Sequence, residues 1–214
     1  MAGSRVLHVQ FEKPIVFSEW EKSYYGKRFQ EPKPSLYRFV LKTDPDFPER
    51  DEAQEDAWAQ MISELIWNLS SSGKDLYYYN PLGIPHKDVK FPRQDTVARG
   101  GWFSRWKKTY VRFRTGQTPP EEIARLSRLH ISYDFEDYFL IVPHHQGSWA
   151  EALQRVTQQE VIDLAVLLSV SEGVCTFGCE EMVAQFYGEH EAFRQHIEQA
   201  LLSIPMQQSF QLVR

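Results

Sequence analysis

The run Tyr138-Phe139-Leu140-Ile141-Val142, closed by Pro143, decides the fold. A continuous apolar stretch of strand length, rich in aromatic and β-branched residues and ending at a residue with no backbone N–H, reads as a central strand buried on both faces. On either side of it the chain writes three helix starts. Thr118 followed by Pro119 and Glu121, Ser148 followed by Glu151, and Thr157 followed by Glu160 match the capping box, in which a hydroxyl and a carboxylate satisfy reciprocal orphan amides. The helix from Gln158 is apolar nearly all round and is expected to be the most buried one. Past Gly173 the pattern predicts helix from about Glu180 to Leu202, broken at Gly188, with Phe210 to Val213 adding a last strand after Pro205.

Upstream, Trp106 to Arg114 alternates: Thr109, Val111 and Phe113 fall on one side and Tyr110, Arg112 and Arg114 on the other, a strand with one wet, positive face. Residues 80–101, with Pro81, Pro85, Pro92, Gly100 and Gly101, read as a long functional loop. Asp75 to Tyr79 reads as a strand closed by Asn80, Pro81 and Gly83. Before it, Trp58, Met61, Ile62, Leu65, Ile66 and Leu69 recur at the three-and-four spacing of one buried helix face, stopped by Gly73. At the N-terminal end, Val6 to Phe11 and Ile15 to Phe17 flank Pro14 and read as strands, as does Leu36 to Lys42. The sum is a single α+β domain over residues 1–214, a mixed or antiparallel sheet packed against amphipathic helices. It divides into strands plus a first helix (1–79), a long loop (80–101), and a strand, helices and a C-terminal helical region (102–214).

Charge is spread unevenly along this framework. Residues 93–114 set Arg93, Arg99, Arg105, Lys107, Lys108, Arg112 and Arg114 against Asp95, a local +6 in a chain of net charge −5. Residues 44–56 set Asp44, Asp46, Glu49, Asp51, Glu52, Glu55 and Asp56 against Arg50, a local −6. Two surfaces of opposite sign steer association more than they stabilise a fold. An acidic chain is a poor general binder of nucleic acid, although the aromatic and basic segment around Trp102 and Trp106 interleaves rings and cations as single-strand binders do. Protein interfaces favour the same residue types. The acidic run also suits the approach to a helix, whose N-terminal dipole it complements.

The opening residues carry no apolar leader, no stretch reaches the roughly 20 apolar residues of a bilayer crossing, and Cys175 and Cys179 are the only cysteines. A soluble, cytoplasmic protein without membrane contact is expected.

Chemical constellations are weaker. Cys175, Cys179, His190 and His196 follow the order of a zinc finger, but six residues of helix separate the two histidines by about 240°. A buried cysteine pair with surface histidines is the simpler reading, and no metal or cofactor is expected. Asp88-Val89-Lys90 resembles the tail of a restriction-type nuclease core, though it lies in the Pro-rich stretch. His130, Asp134, Glu136, Asp137, His144 and His145 flank the central strand, where imidazole and carboxylate could bind a metal or move a proton. A metal-dependent hydrolase or nuclease built on His130, Asp134, Glu136 and His144 is therefore the alternative function. No GxSxG, HExxH, GxGxxG or phosphate-loop motif supports an enzyme.

The profile as a whole, an acidic, tryptophan-rich α+β chain with few cysteines, segregated charge and no catalytic signature, resembles that of bacterial immunity proteins. These neutralise polymorphic toxins, including toxins delivered by type VI secretion. The resemblance implies a non-enzymatic module that binds and inhibits a cognate toxin acting in the cytoplasm, a nuclease-like enzyme rather than a cell-wall hydrolase. The residues expected to meet that partner are Asp46, Glu49, Asp51, Glu52, Glu55, Trp102, Trp106, Arg112, Arg114, Asp134, Glu136 and Asp137.

Overall fold

The computed structural model describes residues 5–19, 22, 33–43, 52–71, 74–80, 96–99, 108–113, 124, 138–143, 164–177, 182–205 and 210–213. Among these, strands β1 (Arg5–Glu12), β2 (Tyr37–Thr43), β3 (Lys74–Asn80), β4 (Thr96–Arg99), β5 (Lys108–Phe113), β6 (Tyr138–Pro143), β7 (Gly173–Phe177), β8 (Val183–Gly188) and β9 (Phe210–Val213) form one sheet. Its order is β4-β5-β3-β6-β7-β8-β2-β1-β9. Neighbours are antiparallel except the parallel pair β1–β9, so the sheet is mixed and the domain is α+β. No helix among the described residues is long and apolar enough to cross a membrane.

The apolar run that reads as a central strand is β6, paired with β3 on one side and β7 on the other. Its side chains divide by the period of two that any strand imposes. Phe139 and Ile141 join Leu76, Cys175, Phe39, Leu41 and Phe186 in the core beneath the helices α1 (Glu52–Ser71) and α3 (Glu191–Ser203). Tyr138, Leu140 and Val142 face the other way, against Tyr77, Val174 and the short helix α2 (Leu164–Leu168) with Val170 behind it. Further along that second face, Ile15, Phe17 and Leu36 pack on Tyr187.

Helix α1 is the amphipathic helix read from the sequence. Trp58, Met61, Ile62, Leu65, Ile66 and Leu69 are all buried, and the two buried serines on it, Ser63 and Ser70, satisfy their hydroxyls by donating to the carbonyls of Gln60 and Trp67. Glu52 and Glu55 occupy its first turn, where carboxylates complement the exposed amides.

Helix α3 reaches the sheet through a gap that two glycines leave. Gly173 and Gly188 lie directly opposite each other on β7 and β8. The ring of Phe193, fully buried, sits over them: a Cβ on Gly188 would stand 2.8 Å from Phe193 Cδ1, and one on Gly173 would overlap the same ring. Tyr37, opposite Gly188 on β2, closes the gap from the other side and donates a 3.1 Å hydrogen bond to the carbonyl of His190, the N-cap residue of α3. Glycine inside a strand weakens it unless something needs the space, and here an aromatic side chain does. Ile197, Ala200 and Leu201 continue the buried stripe, and α3 packs beside α1.

Several elements differ from the sequence reading. The helix expected from 180 to 202 is two elements, the strand β8 and the helix α3, and a further strand, β7, precedes them. Val183-Ala184-Gln185-Phe186-Tyr187 is β-branched and aromatic, and its pairing with β2 and β7 outweighs the helix propensity of its neighbours. Ile15 to Phe17 is not a strand: Ile15 and Phe17 are buried and Val16 is exposed, so alternation is real but no ladder partner exists for it among the described residues. Within the expected loop 80–101, Asn80 ends β3 and Thr96–Arg99 forms the sheet's far strand, β4. Of the helix expected from Gln158 only Leu164–Leu168 is described, with Leu167 fully buried; residues 158–163 lie outside the described residues. Phe210–Val213 is a strand, as expected. The three expected capping boxes at 118, 148 and 157 lie outside the described residues.

Truncating Phe193→Ala should cost about 3–5 kcal/mol by opening a cavity, and Gly188→Ala about 1–3 kcal/mol by overpacking. Because the new methyl enters space the lost ring vacates, the double variant should be less destabilised than the sum of the two, as read from urea denaturation midpoints. Strict additivity would show that the ring and the glycine gap are not coupled.

Candidate functional site

The residues expected to bind a partner divide by where they fall. Glu52 and Glu55 are on the first turn of α1, Glu52 exposed and Glu55 half-buried, with exposed Asp56 following. The buried stripe from Trp58 onward fixes the helix that carries them. Arg112 occupies β5 at the register position opposite Tyr77. Asp46, Glu49, Asp51, Trp102, Trp106, Arg114, Asp134, Glu136 and Asp137 lie outside the described residues, as do His130, His144 and His145 of the hydrolase alternative and the separate Asp88-Val89-Lys90 run.

Of the zinc-like set, Cys175 is completely buried on the helix-covered face of β7, and burial pushes its thiol well above the usual range. His190 is exposed ahead of α3, and Cys179 lies outside the described residues. Among the described residues, no group of three or more His, Cys, Asp or Glu side chains could hold a metal. His196 departs from the surface reading. It is half-buried, and its partner is a lysine.

That lysine centres a polar cluster which the sequence reading missed. Lys74 begins β3, and Glu172 immediately precedes β7, held there by its own amide bonding to the Ile141 carbonyl at 2.8 Å. Lys74 Nζ lies 2.9 Å from Glu172 Oε2, 3.2 Å from His196 Nδ1 and 5.7 Å from the centre of the Phe193 ring. The lysine side chain is 14% exposed and the glutamate 17%, so the pair is largely shielded from water. An ammonium only donates, so Nδ1 of His196 must accept, which leaves the imidazole neutral with its proton on Nε2. Burial, then the adjacent Lys74 charge, hold the His196 pKa below its ordinary value; Glu172 pulls the other way. Beside this cluster the Tyr37 hydroxyl is pushed far up, by burial and then by Glu191 and Glu172.

On the outer flank of α3 a second arrangement is open to solvent. Arg194 bonds Glu191 and, at 3.0 Å, Glu198, one turn either side of it, and its guanidinium stands 5.1 Å from the centre of the Phe11 ring. The hydrogen bond from Arg194 is the main reason the Glu191 carboxyl is held below its usual range. Phe11 in turn tilts against Tyr37, ring centres 5.6 Å apart. Next to it runs a groove of about 260 Å³, lined by Val9, Phe11, Phe39, Leu201, Leu202 and Leu212 with Glu198 as its charged member. Phe11 is 43% exposed and Leu202 is 73% exposed. The sequence signal for it was the doublet Leu201-Leu202, in which one helix position must point away from the core if the other points in.

Comparison of the chain with protein-family models, with curated proteins and with solved structures gave no match in any of the three.

A thiol buried and held in its neutral form is a poor nucleophile and a poor metal ligand. Alkylation of the native protein followed by peptide mapping should leave Cys175 unmodified, with labelling appearing only as denaturant unfolds the chain. Rapid labelling of Cys175 in the folded state would contradict its burial.

Proposed function

We propose that the protein is a non-enzymatic protein-binding module, an immunity protein that binds and inhibits a cognate toxin acting in the cytoplasm. The observation that carries this reading is the Phe11–Arg194 pair beside the apolar groove of α3. Aromatic and arginine side chains contribute most to interface hot spots, and an apolar groove with a polar rim is a surface that a partner can dry. These groups are carried on strands and a helix that the core holds rigid, which limits the ordering cost of association.

The carboxylates of Glu52, Glu55 and Asp56 have a separate role in this reading. They lie at the end of the acidic run and give the protein a negative approach surface, suited to a basic enzyme that handles nucleic acid or nucleotides. Such charges raise the rate of encounter, whereas the groove sets how long the complex lasts. The chain's net charge of −5 has the same sign.

The test begins with the purified chain as bait in an extract of its source organism. One toxic enzyme should be retained in stoichiometric amount and lose its activity on binding. With that partner in hand, the double reversal Glu52→Lys/Glu55→Lys should slow association by about tenfold at low salt and flatten the salt dependence. Leu202→Asp should speed dissociation while leaving unfolding free energy within about 0.5 kcal/mol of the parent, as expected for an exposed site. A partner whose kinetics ignore both changes would remove these surfaces from the interface.

A further inference from the structure

We propose that His196 and Lys74 form an acid-sensitive latch that controls how tightly α3 is held against the sheet. Besides the Tyr37–His190 hydrogen bond, two contacts among the described residues hold the helix on this side. One is the Phe193 ring in the gap over Gly173 and Gly188. The other is polar: Lys74, rooted in β3, reaches across to His196 Nδ1 on α3 at 3.2 Å while its ammonium lies over the same Phe193 ring and bonds Glu172 ahead of β7. One lysine therefore ties together a strand, the turn before β7, the helix and the aromatic plug.

The arrangement works only with a neutral imidazole. Protonated, His196 would present an N–H to an ammonium that has no lone pair to accept it, and two cations would share the single carboxylate of Glu172. Among the described residues, the charged groups facing this point are Lys74 from β3 and Glu172 from the turn before β7. Tyr37 from β2 senses Glu172 and also the Glu191–Arg194 pair on the first turn of α3. Tyr37, like any tyrosine, keeps its proton throughout the acid range, and burial shifts its hydroxyl further up, so it adds no titration of its own there.

The direction of the effect follows by linkage. A histidine whose folded pKa is lowered binds protons more readily once the helix has lifted and the ring is hydrated. The stabilisation it gives α3 is complete above the ordinary histidine pKa of about 6.5 and is lost as the pH falls from there through the folded value. Acid thus favours the lifted state of α3 because the proton binds that state better. Leu201 and Leu202 ride on the same helix, so loosening it would also open one wall of the groove.

Hydrogen exchange on the full chain, read by mass spectrometry and corrected for intrinsic rates, tests the latch without any partner. Amides of α3 in the parent protein should lose protection severalfold between pH 7.5 and pH 5, while those of α1 hold. His196→Asn offers an acceptor in place of Nδ1 that does not titrate, and should keep α3 protected across that range. His190→Asn, at the exposed N-cap of α3 where Asn is the better cap, should raise α3 protection at every pH and keep the parent's fall between pH 7.5 and pH 5. An α3 whose protection is flat with pH in the parent, or that falls equally in the His196→Asn variant, would overturn the proposal. If the His196→Asn chain does not fold, the NMR titration of the His196 ring in the parent decides: a midpoint below 6.5 that tracks the loss of α3 protection supports the latch, and a midpoint at or above 6.5 refutes it.

Discussion

The Phe193 ring over the facing glycines of β7 and β8 is the contact on which the helical layer depends. A sheet interior usually presents a side chain from every second residue, and a helix laid on it stands off by the length of those side chains. Where β7 and β8 cross the core, Gly173 and Gly188 supply none, and the ring fills the vacancy instead. A ring buried in a matched hole fixes both the height of α3 and its position along its own axis. It thereby brings the His190 carbonyl within reach of Tyr37 and the His196 imidazole within reach of Lys74. Loss of a buried aromatic costs about 3–5 kcal/mol, comparable with much of the net stability of an ordinary domain.

The polar cluster next to the ring shows why its members keep their places. Burying an ion pair costs several kcal/mol per charge in desolvation, and the mutual attraction of the pair offsets this only when further donors and acceptors are satisfied. Lys74 has three donors; Glu172 and His196 take two, and the Phe193 face lies close to the ammonium. The same pairing of cation with ring recurs on the opposite face of the sheet, where Arg38 stands 5.7 Å from the centre of Phe17 and bonds Glu12 at 2.7 Å. On the outside of α3, Arg194 covers Phe11 in the same way. In each case a long cationic side chain lays its apolar stem and planar or ammonium head on an aromatic ring while a carboxylate neutralises the charge.

What the sequence could show depended on whether the signal was local. The run 138–142 is continuously apolar over the length of a strand and the stripe from Trp58 to Leu69 carries a helical periodicity, and both elements formed as read. So did β2, β3 and β9, each a short aromatic and β-branched segment between turn residues. The stretch 173–188 failed because Gly173, Cys175, Ala184 and Gly188 dilute the apolar pattern on the very face that is most buried; the residue that completes that face, Phe193, arrives from another element. The polar cluster was illegible for the same reason. Lys74, Glu172 and His196 are unremarkable singly, and only the pairing of β3 with β6 and of β6 with β7 brings the first two together before α3 adds the third. By contrast, the acidic first turn of α1 is written in consecutive letters and could be read directly.

The groove also follows from the geometry of the layers. Strands lie about 4.8 Å apart and a helix with its side chains is about 10 Å across, so one helix covers roughly two strands. Among the described residues, α1 lies over β3 and β6, and α3 sits beside it with Phe193 over β7 and β8. The strands beyond, β2, β1 and β9, still turn Phe39, Val9, Phe11 and Leu212 toward the helical side, because alternation leaves them no other choice. Leu201 and Leu202 at the end of α3 wall off this uncovered strip and leave it open along one side. Leaving Phe11 and Leu202 in water costs the chain the transfer energy of two large side chains, about 1.5–3 kcal/mol each when fully buried. That exposed ring and leucine, with the Arg194 guanidinium 5.1 Å from the centre of the ring, are the features on which the proposed interface rests.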